Sequence, residues 1–103
     1  MFDKMTELKI YEAISMEYAN ACKTYGKEYH SAHEAYAVLL EEIEEAEQNL
    51  DYIRNHLSMM WDDVKTDNNT DIKNNARVIG YDAVELAKES VQIAAVARKI
   101  MGV

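Results

Sequence analysis

The feature that most constrains this chain is its scarcity of turn-forming residues. Its 103 residues include no proline and only three glycines. Because proline and glycine mark most turns between short strands, such a chain favours a few long helices over a sandwich or barrel. Two breaks are visible, at Gly26 and in the run Thr66-Asp67-Asn68-Asn69-Thr70-Asp71. The sequence therefore predicts an all-α protein.

Between the breaks, apolar residues recur at spacings of three and four, the period of a helix face. One stripe runs without interruption over four heptads, from Tyr36 to Val64, and Ser31 with Glu34 forms a capping box before it. A similar stripe follows the second break, and we expect Gly80 to divide it, although one kinked helix is the alternative. The predicted helices cover residues 3–25, 31–66, 70–79 and 81–101.

The last helix is apolar on more than one side. Four apolar residues lie off its main stripe: Val84, Val91, Ala95 and Met101. A helix of this kind is buried from several directions, which three or four helices of one chain hardly provide. We therefore expect a single domain over residues 1–103, a helical bundle with one long central helix that is completed in a homodimer or homotetramer. The alternative is that the alanines only permit close packing within one chain.

Charge and cysteine content restrict the partners. The formal net charge is −8, which argues against binding to a nucleic-acid polymer because no basic excess neutralises the phosphates. The longest apolar run, Ala35 to Leu40, is far shorter than the ~20 residues of a membrane span. The single Cys22 has no partner for an internal disulfide. We expect a cytoplasmic protein without a membrane partner.

Six acidic residues lie within residues 41–51, and no lysine or arginine occurs between Lys27 and Arg54. Acids three or four apart on a helix repel by about 0.2–0.5 kcal/mol per pair. Glu42 and Glu45 share the face beside the apolar stripe, where carboxylate oxygens are suitable ligands for Mg²⁺. The alternative is a solvated acidic face, which is the commoner situation for acidic helices.

A second polar column lies on the last helix. Its members follow at spacings of three, four and three: Asp82, Glu85, Glu89 and Gln92. Antiparallel packing of the two helices would bring Glu42 and Glu45 opposite Glu85 and Glu89. Facing carboxylates are unfavourable at low dielectric without a cation, whereas one or two Mg²⁺ ions would make them a metal-dependent phosphate site.

Two stretches also resemble a known family. Residues 31–45 read SAHEAYAVLLEEIEE, and residues 89–98 read ESVQIAAVAR. Together with Trp61 they resemble the phage and bacterial MazG-like group of the all-α nucleoside triphosphate pyrophosphatase superfamily, over about residues 29–65 and 81–101. The superfamily pattern is Glu-Glu-x-x-Glu on one helix and Glu-x-x-Asp on the next. The residues in the matching positions are Glu41, Glu42, Glu45 and Glu89, with Gln92 in place of the aspartate.

The resemblance implies a Mg²⁺-dependent hydrolase that converts a ribo- or deoxyribonucleoside triphosphate to the monophosphate and pyrophosphate. The implied metal ligands are Glu42, Glu45 and Glu89, assisted by Glu41, Glu85 and Gln92. One of Glu41, Glu42 and Glu45 would orient or deprotonate the attacking water. Lys88 and Arg98 are candidates for binding the phosphates.

Gln92 leaves two outcomes open. An amide oxygen can ligate Mg²⁺, but it brings no charge and is a weaker ligand than a carboxylate. Either Glu85 supplies the missing acid from one turn earlier, or activity is reduced or lost. In the second case the chain is a non-catalytic helical interaction or regulatory protein on the same scaffold.

Overall fold

The computed structural model describes residues 1–102 and contains three helices, α1 (Lys4–Tyr25), α2 (Ala32–Lys65) and α3 (Asn69–Met101). No strand occurs among the described residues. The all-α prediction is confirmed, and apart from Gly80 each predicted helix end lies within one residue of the observed end. None of these helices combines the length and the apolar character that crossing a bilayer requires.

Local capping explains where the first two helices begin and end. The Asp3 carboxylate accepts the Thr6 N–H at 2.8 Å at the start of α1. Gly26 ends α1 with φ 88°, a conformation that favours glycine. Ser31 accepts the Glu34 N–H at 3.1 Å, as the capping box predicts. The Glu34 carboxylate, however, accepts its backbone hydrogen bond from His30 rather than from Ser31.

The predicted division at Gly80 is wrong, because α3 continues through it as one helix. A glycine inside a helix costs only about 1 kcal/mol relative to alanine. The same apolar stripe continues on both sides of Gly80, and its packing outweighs that cost. The real boundary is the turn before α3, where Asp67 has φ 52° and the Asn68 side chain accepts the Asp71 N–H at 3.2 Å.

Contacts divide the chain into two compact units, and both boundaries fall inside continuous helices. Unit 1 comprises Met1–Ile43 with the chain from Glu89 onward, and unit 2 comprises Glu44–Lys88. Unit 1 packs α1, the start of α2 and the end of α3 as a three-helix bundle. Unit 2 is a hairpin of the remaining parts of α2 and α3. The single-domain expectation stays a prediction.

Unit 1 has a small apolar core. Its buried apolar residues are Ala35, Ala95 and Val96. Unit 2 instead has a buried polar residue, Asn75, whose amide donates to the Asp63 carboxylate at 2.7 Å. The Asn75 carbonyl oxygen lies 3.2 Å from Nδ1 of His56. Such a buried polar group favours one register between two helices, since any slip would leave it unpaired.

Candidate functional site

The centre of the site is a pair of carboxylates in unit 1. Glu42 on α2 and Glu89 on α3 are both half-buried and bring carboxylate oxygens within 4.8 Å of one another. Oε2 of Glu89 is buried and has no hydrogen-bond partner among residues 1–102. Two negative groups at this range repel, and a buried oxygen without a donor adds a desolvation cost. A bound cation would relieve both penalties.

The sequence explains why these two side chains meet. Glu42 precedes Ile43 of the apolar stripe of α2, and Glu89 precedes Ser90 on the corresponding stripe of α3. A residue next to a stripe lies at the edge of the packed face, so its carboxylate stays close to the neighbouring helix without entering the core. The predicted juxtaposition of Glu42 with Glu89 is therefore present within unit 1.

The other acids of the first motif are more exposed. Glu45 follows Glu42 by one turn of α2 and belongs to unit 2. Residues three apart on a helix are neighbours along its surface. Glu41 is exposed on α2. Glu45 is thus adjacent to the central pair along its own helix, whereas Glu41 is on the solvent side.

Two further predicted site residues pair with each other in unit 2. The Lys88 ammonium lies 3.0 Å from a Glu85 carboxylate oxygen, three residues earlier on α3. This hydrogen bond raises the pKa of Lys88 above its ordinary value. The predicted auxiliary metal ligand and the predicted phosphate-binding lysine therefore satisfy one another at the surface.

Gln92 connects α3 to α1 within unit 1. Its Nε2 donates to the Glu17 carboxylate at 2.9 Å. With the amide nitrogen so used, the amide carbonyl oxygen is the atom that could ligate a metal. Glu17 is a site residue that the sequence analysis missed, because a contact across 75 positions leaves no local signal.

Arg98 makes contacts with α1 as well. Its Nη1 donates to the Ser15 hydroxyl at 3.0 Å, and its guanidinium carbon lies 5.7 Å from the centre of the Tyr18 ring. The guanidinium thus contacts the Ser15 hydroxyl and the Tyr18 ring. The predicted role in phosphate binding stays a prediction.

A cavity of about 480 Å³ lies in unit 1 between the three helices. This volume is within the range of small-molecule sites, roughly 300–1,000 Å³. Its lining includes the following polar and aromatic side chains: Glu17, Tyr29, Glu34, Glu42, Gln92 and Lys99. One member of the central carboxylate pair therefore faces a pocket that could hold a ligand. Lys99, the second residue that the sequence analysis missed, contributes a cation.

The charged groups that line the cavity shift the pKa values of their neighbours. Burial raises the pKa of the Tyr29 hydroxyl, and the carboxylates of Glu34 and Glu42 contribute to the rise. Hydrogen bonds from His30 lower the pKa of Glu34, and the Lys99 charge lowers it further. The lining of the cavity thus combines the carboxylates of Glu34 and Glu42 with the ammonium of Lys99.

Comparisons with protein-family models, curated proteins and solved structures found no match to this chain. The geometry of unit 1 and the resemblance of the two motifs therefore remain as the indications of function.

Proposed function

We propose that this chain is a Mg²⁺-dependent nucleoside triphosphate pyrophosphohydrolase-like protein of the cytoplasm. Its reaction converts an NTP or dNTP and water to the monophosphate and pyrophosphate. The observation that carries the proposal is the approach of Glu42 and Glu89 within 4.8 Å, with one Glu89 oxygen buried and unbonded in the described chain. A hard divalent cation is the ligand that such a carboxylate pair favours.

The proposed roles follow the chemistry of each group. Glu42 and Glu89 of unit 1 would hold Mg²⁺, which would neutralise phosphate charge when bound, and Glu45 is the next acid along α2, one turn after Glu42. Gln92, in the same unit, assists at the metal through its amide carbonyl oxygen, whereas Glu41 lies on the solvent side and Glu85 is paired with Lys88. A carboxylate among Glu41, Glu42 and Glu45 accepts a proton from the attacking water. The water oxygen then bonds to the α-phosphorus, and the bond between that phosphorus and the bridging oxygen breaks to release pyrophosphate.

The experiment measures pyrophosphate release from a panel of ribo- and deoxyribonucleoside triphosphates, with Mg²⁺ and with EDTA. We expect release only with Mg²⁺. Glu42→Gln removes a charge with little change of shape and should abolish release. Glu47→Gln makes the same change at an exposed position of α2 and is the matched control, which should keep wild-type activity. Equal release by both variants would contradict the assigned site.

Thermal melts test the metal site independently of turnover. At a hundredfold excess over Kd, a bound ion adds about 2.7 kcal/mol of stability. For a domain of this size that corresponds to roughly 10 °C or more in Tm. We expect this rise for wild type and Glu47→Gln but not for Glu42→Gln. In EDTA, Glu42→Gln should melt at or above the wild-type temperature because one repulsion is gone.

A second candidate is a non-catalytic helical interaction or regulatory protein. It is favoured by Gln92, whose amide donates to Glu17 instead of supplying the acid of the superfamily pattern. It is also favoured by exposed aromatic side chains such as Tyr36 and Trp61. Identical melts in EDTA and Mg²⁺, with no pyrophosphate release from any nucleotide, would support this candidate and reject the hydrolase.

A further inference from the structure

Lys99 is a buried cation at the wall of the unit 1 cavity. Only 6% of its surface is exposed. Its ammonium lies 4.2 Å from the centre of the Tyr29 ring. No carboxylate forms an ion pair with it in the described part of the chain. This lysine therefore differs from Lys88, whose ammonium is exposed and paired with Glu85.

The low exposure belongs to the residue as a whole, and its ammonium is not among the buried polar atoms that lack a partner in the described chain. The ammonium is therefore accessible from the cavity, where the Tyr29 ring contacts it through a cation–π interaction. An ammonium nevertheless has three N–H donors, and an aromatic face engages it from one side only. A negatively charged group in the cavity would accept the other donors.

The position of Lys99 along α3 indicates the kind of anion. Gln92 and Val96 also line the cavity and lie on the same face of α3 as Lys99. Because Gln92 and Lys99 are seven residues apart at 1.5 Å per residue, they are separated by about 10 Å along the helix axis. A single phosphate cannot contact both Gln92 and Lys99. A polyphosphate chain carries negative charge over an extended length and can reach Lys99 while another of its phosphates approaches the cation site at Glu42.

We propose that Lys99 binds the polyphosphate group of a nucleotide in this cavity, the role that the sequence analysis gave to Lys88 and Arg98. The identity of the anion as a nucleotide rests on the proposed function. The presence of an anion-binding lysine rests on the absence of an ion pair at Lys99 in the described chain, its contact with Tyr29 and its place in the cavity wall. Lys99 is accordingly a substrate-binding residue that acts through charge.

The test compares four variants with inorganic tripolyphosphate as the probe, in the presence of Mg²⁺. Lys99→Met and Lys99→Gln remove the charge, Lys99→Arg keeps it, and Lys73→Met removes a charge at an exposed position of α3. Circular dichroism and melts without the probe establish that each variant folds. We expect charge removal at position 99 to raise the apparent Kd at least about tenfold, the loss typical of a hydrogen bond to a charged group. Lys99→Arg and Lys73→Met should bind like the wild type.

Hydrolysis supplies a second readout that separates this inference from the proposed function. If the wild type is active, Lys99→Met should raise KM by a similar factor while Lys73→Met leaves it unchanged. Unchanged KM and Kd in Lys99→Met would reject the role of Lys99 and leave the hydrolase proposal intact. Tripolyphosphate binding that depends on Lys99, in a protein that hydrolyses no nucleotide, would reject the hydrolase and support the anion site. Equal losses in Lys99→Met and Lys73→Met would show that only the overall surface charge matters and would overturn the inference.

Discussion

Gln92 is the residue at which this site departs from the superfamily pattern, and its hydrogen bond to Glu17 indicates how the departure is accommodated. The amide is neutral, so the position that carries an acid in the superfamily brings no charge here. Glu17 restores a negative group next to it, from α1 rather than from α3. The bond also fixes which end of the amide is free to face a metal. We therefore predict that Glu17 orients Gln92 in the proposed metal site.

Replacing Glu17 should weaken metal binding without removing a direct ligand. Groups that orient metal ligands typically change affinity by about 10–100-fold when they are lost. For Glu17→Gln we expect the Mg²⁺ Kd, measured by titration calorimetry, to rise roughly tenfold. Glu12→Gln removes the same charge from an exposed position of α1 and is the matched control. Equal Kd values for the two variants would show that the bond between Glu17 and Gln92 is structural only.

At this scale the sequence indicated some site residues and missed others for a physical reason. Helical periodicity assigned Glu42 and Glu89 to the edges of two packed faces, and their carboxylate oxygens lie within 4.8 Å of one another. Periodicity does not specify which face of α1 meets α3, so Glu17 had no signal. Lys99 was missed because it lies next to Arg98, and the pattern alone did not show which of the two faces the cavity.

At the scale of elements, composition and capping predicted the helices well. The glycine after α1 and the polar run before α3 each correspond to an observed boundary, and the absence of proline agrees with the length of the helices between them. Gly80 was misjudged because the same residue type ends a helix only where the backbone needs a positive φ. Gly26 has φ 88°, whereas Gly80 is an ordinary helical residue within α3. Whether the helix ends at a glycine is therefore decided by the apolar stripe on either side of it and not by the glycine itself.

This contrast gives a matched pair of substitutions. A methyl group added at Gly80 meets nothing within 4 Å, so Gly80→Ala gains helix propensity without a clash. We expect a gain of about 0.5–1 kcal/mol in the free energy of unfolding, or about 3–6 °C in Tm. Gly26→Ala should instead lower Tm, since alanine is strained at positive φ. A drop in Tm for Gly80→Ala in thermal melts would indicate that another chain packs against this part of α3.

For the whole molecule, the solvent-accessible surface is larger than that of a typical monomer of its mass. The accessible surface is 7887 Å². A folded monomer of 11.8 kDa typically exposes about 5,900 Å². The excess includes large apolar side chains: Tyr36, Leu57, Trp61, Tyr81 and Val84, each more than half exposed. Because a protein–protein interface commonly buries roughly 800 Å² or more per partner, the excess is of the size that one or two interfaces would cover.

We therefore predict that the chain is a homodimer or homotetramer, as the apolar character of the last helix suggested. Sedimentation at high micromolar concentration should give a mass of at least two chains, and Tm should rise with concentration. Val84, which is 55% exposed, would lie in the interface and provides the test. Val84→Glu should shift the population to monomer and lower Tm, because a partner would have to bury the new charge.

Asn55→Glu adds the same charge at an exposed polar position of α2 and should leave both the mass and Tm close to wild type. Trp61 gives an independent signal, since its indole is 59% exposed in the single chain. If a partner covers it, its emission should shift to longer wavelength on dilution. A stable monomer at high micromolar concentration, with emission independent of dilution, would contradict the prediction. The apolar side chains would then be solvated, and the protein would have to fold on the small core around Ala35, Ala95 and Val96 alone.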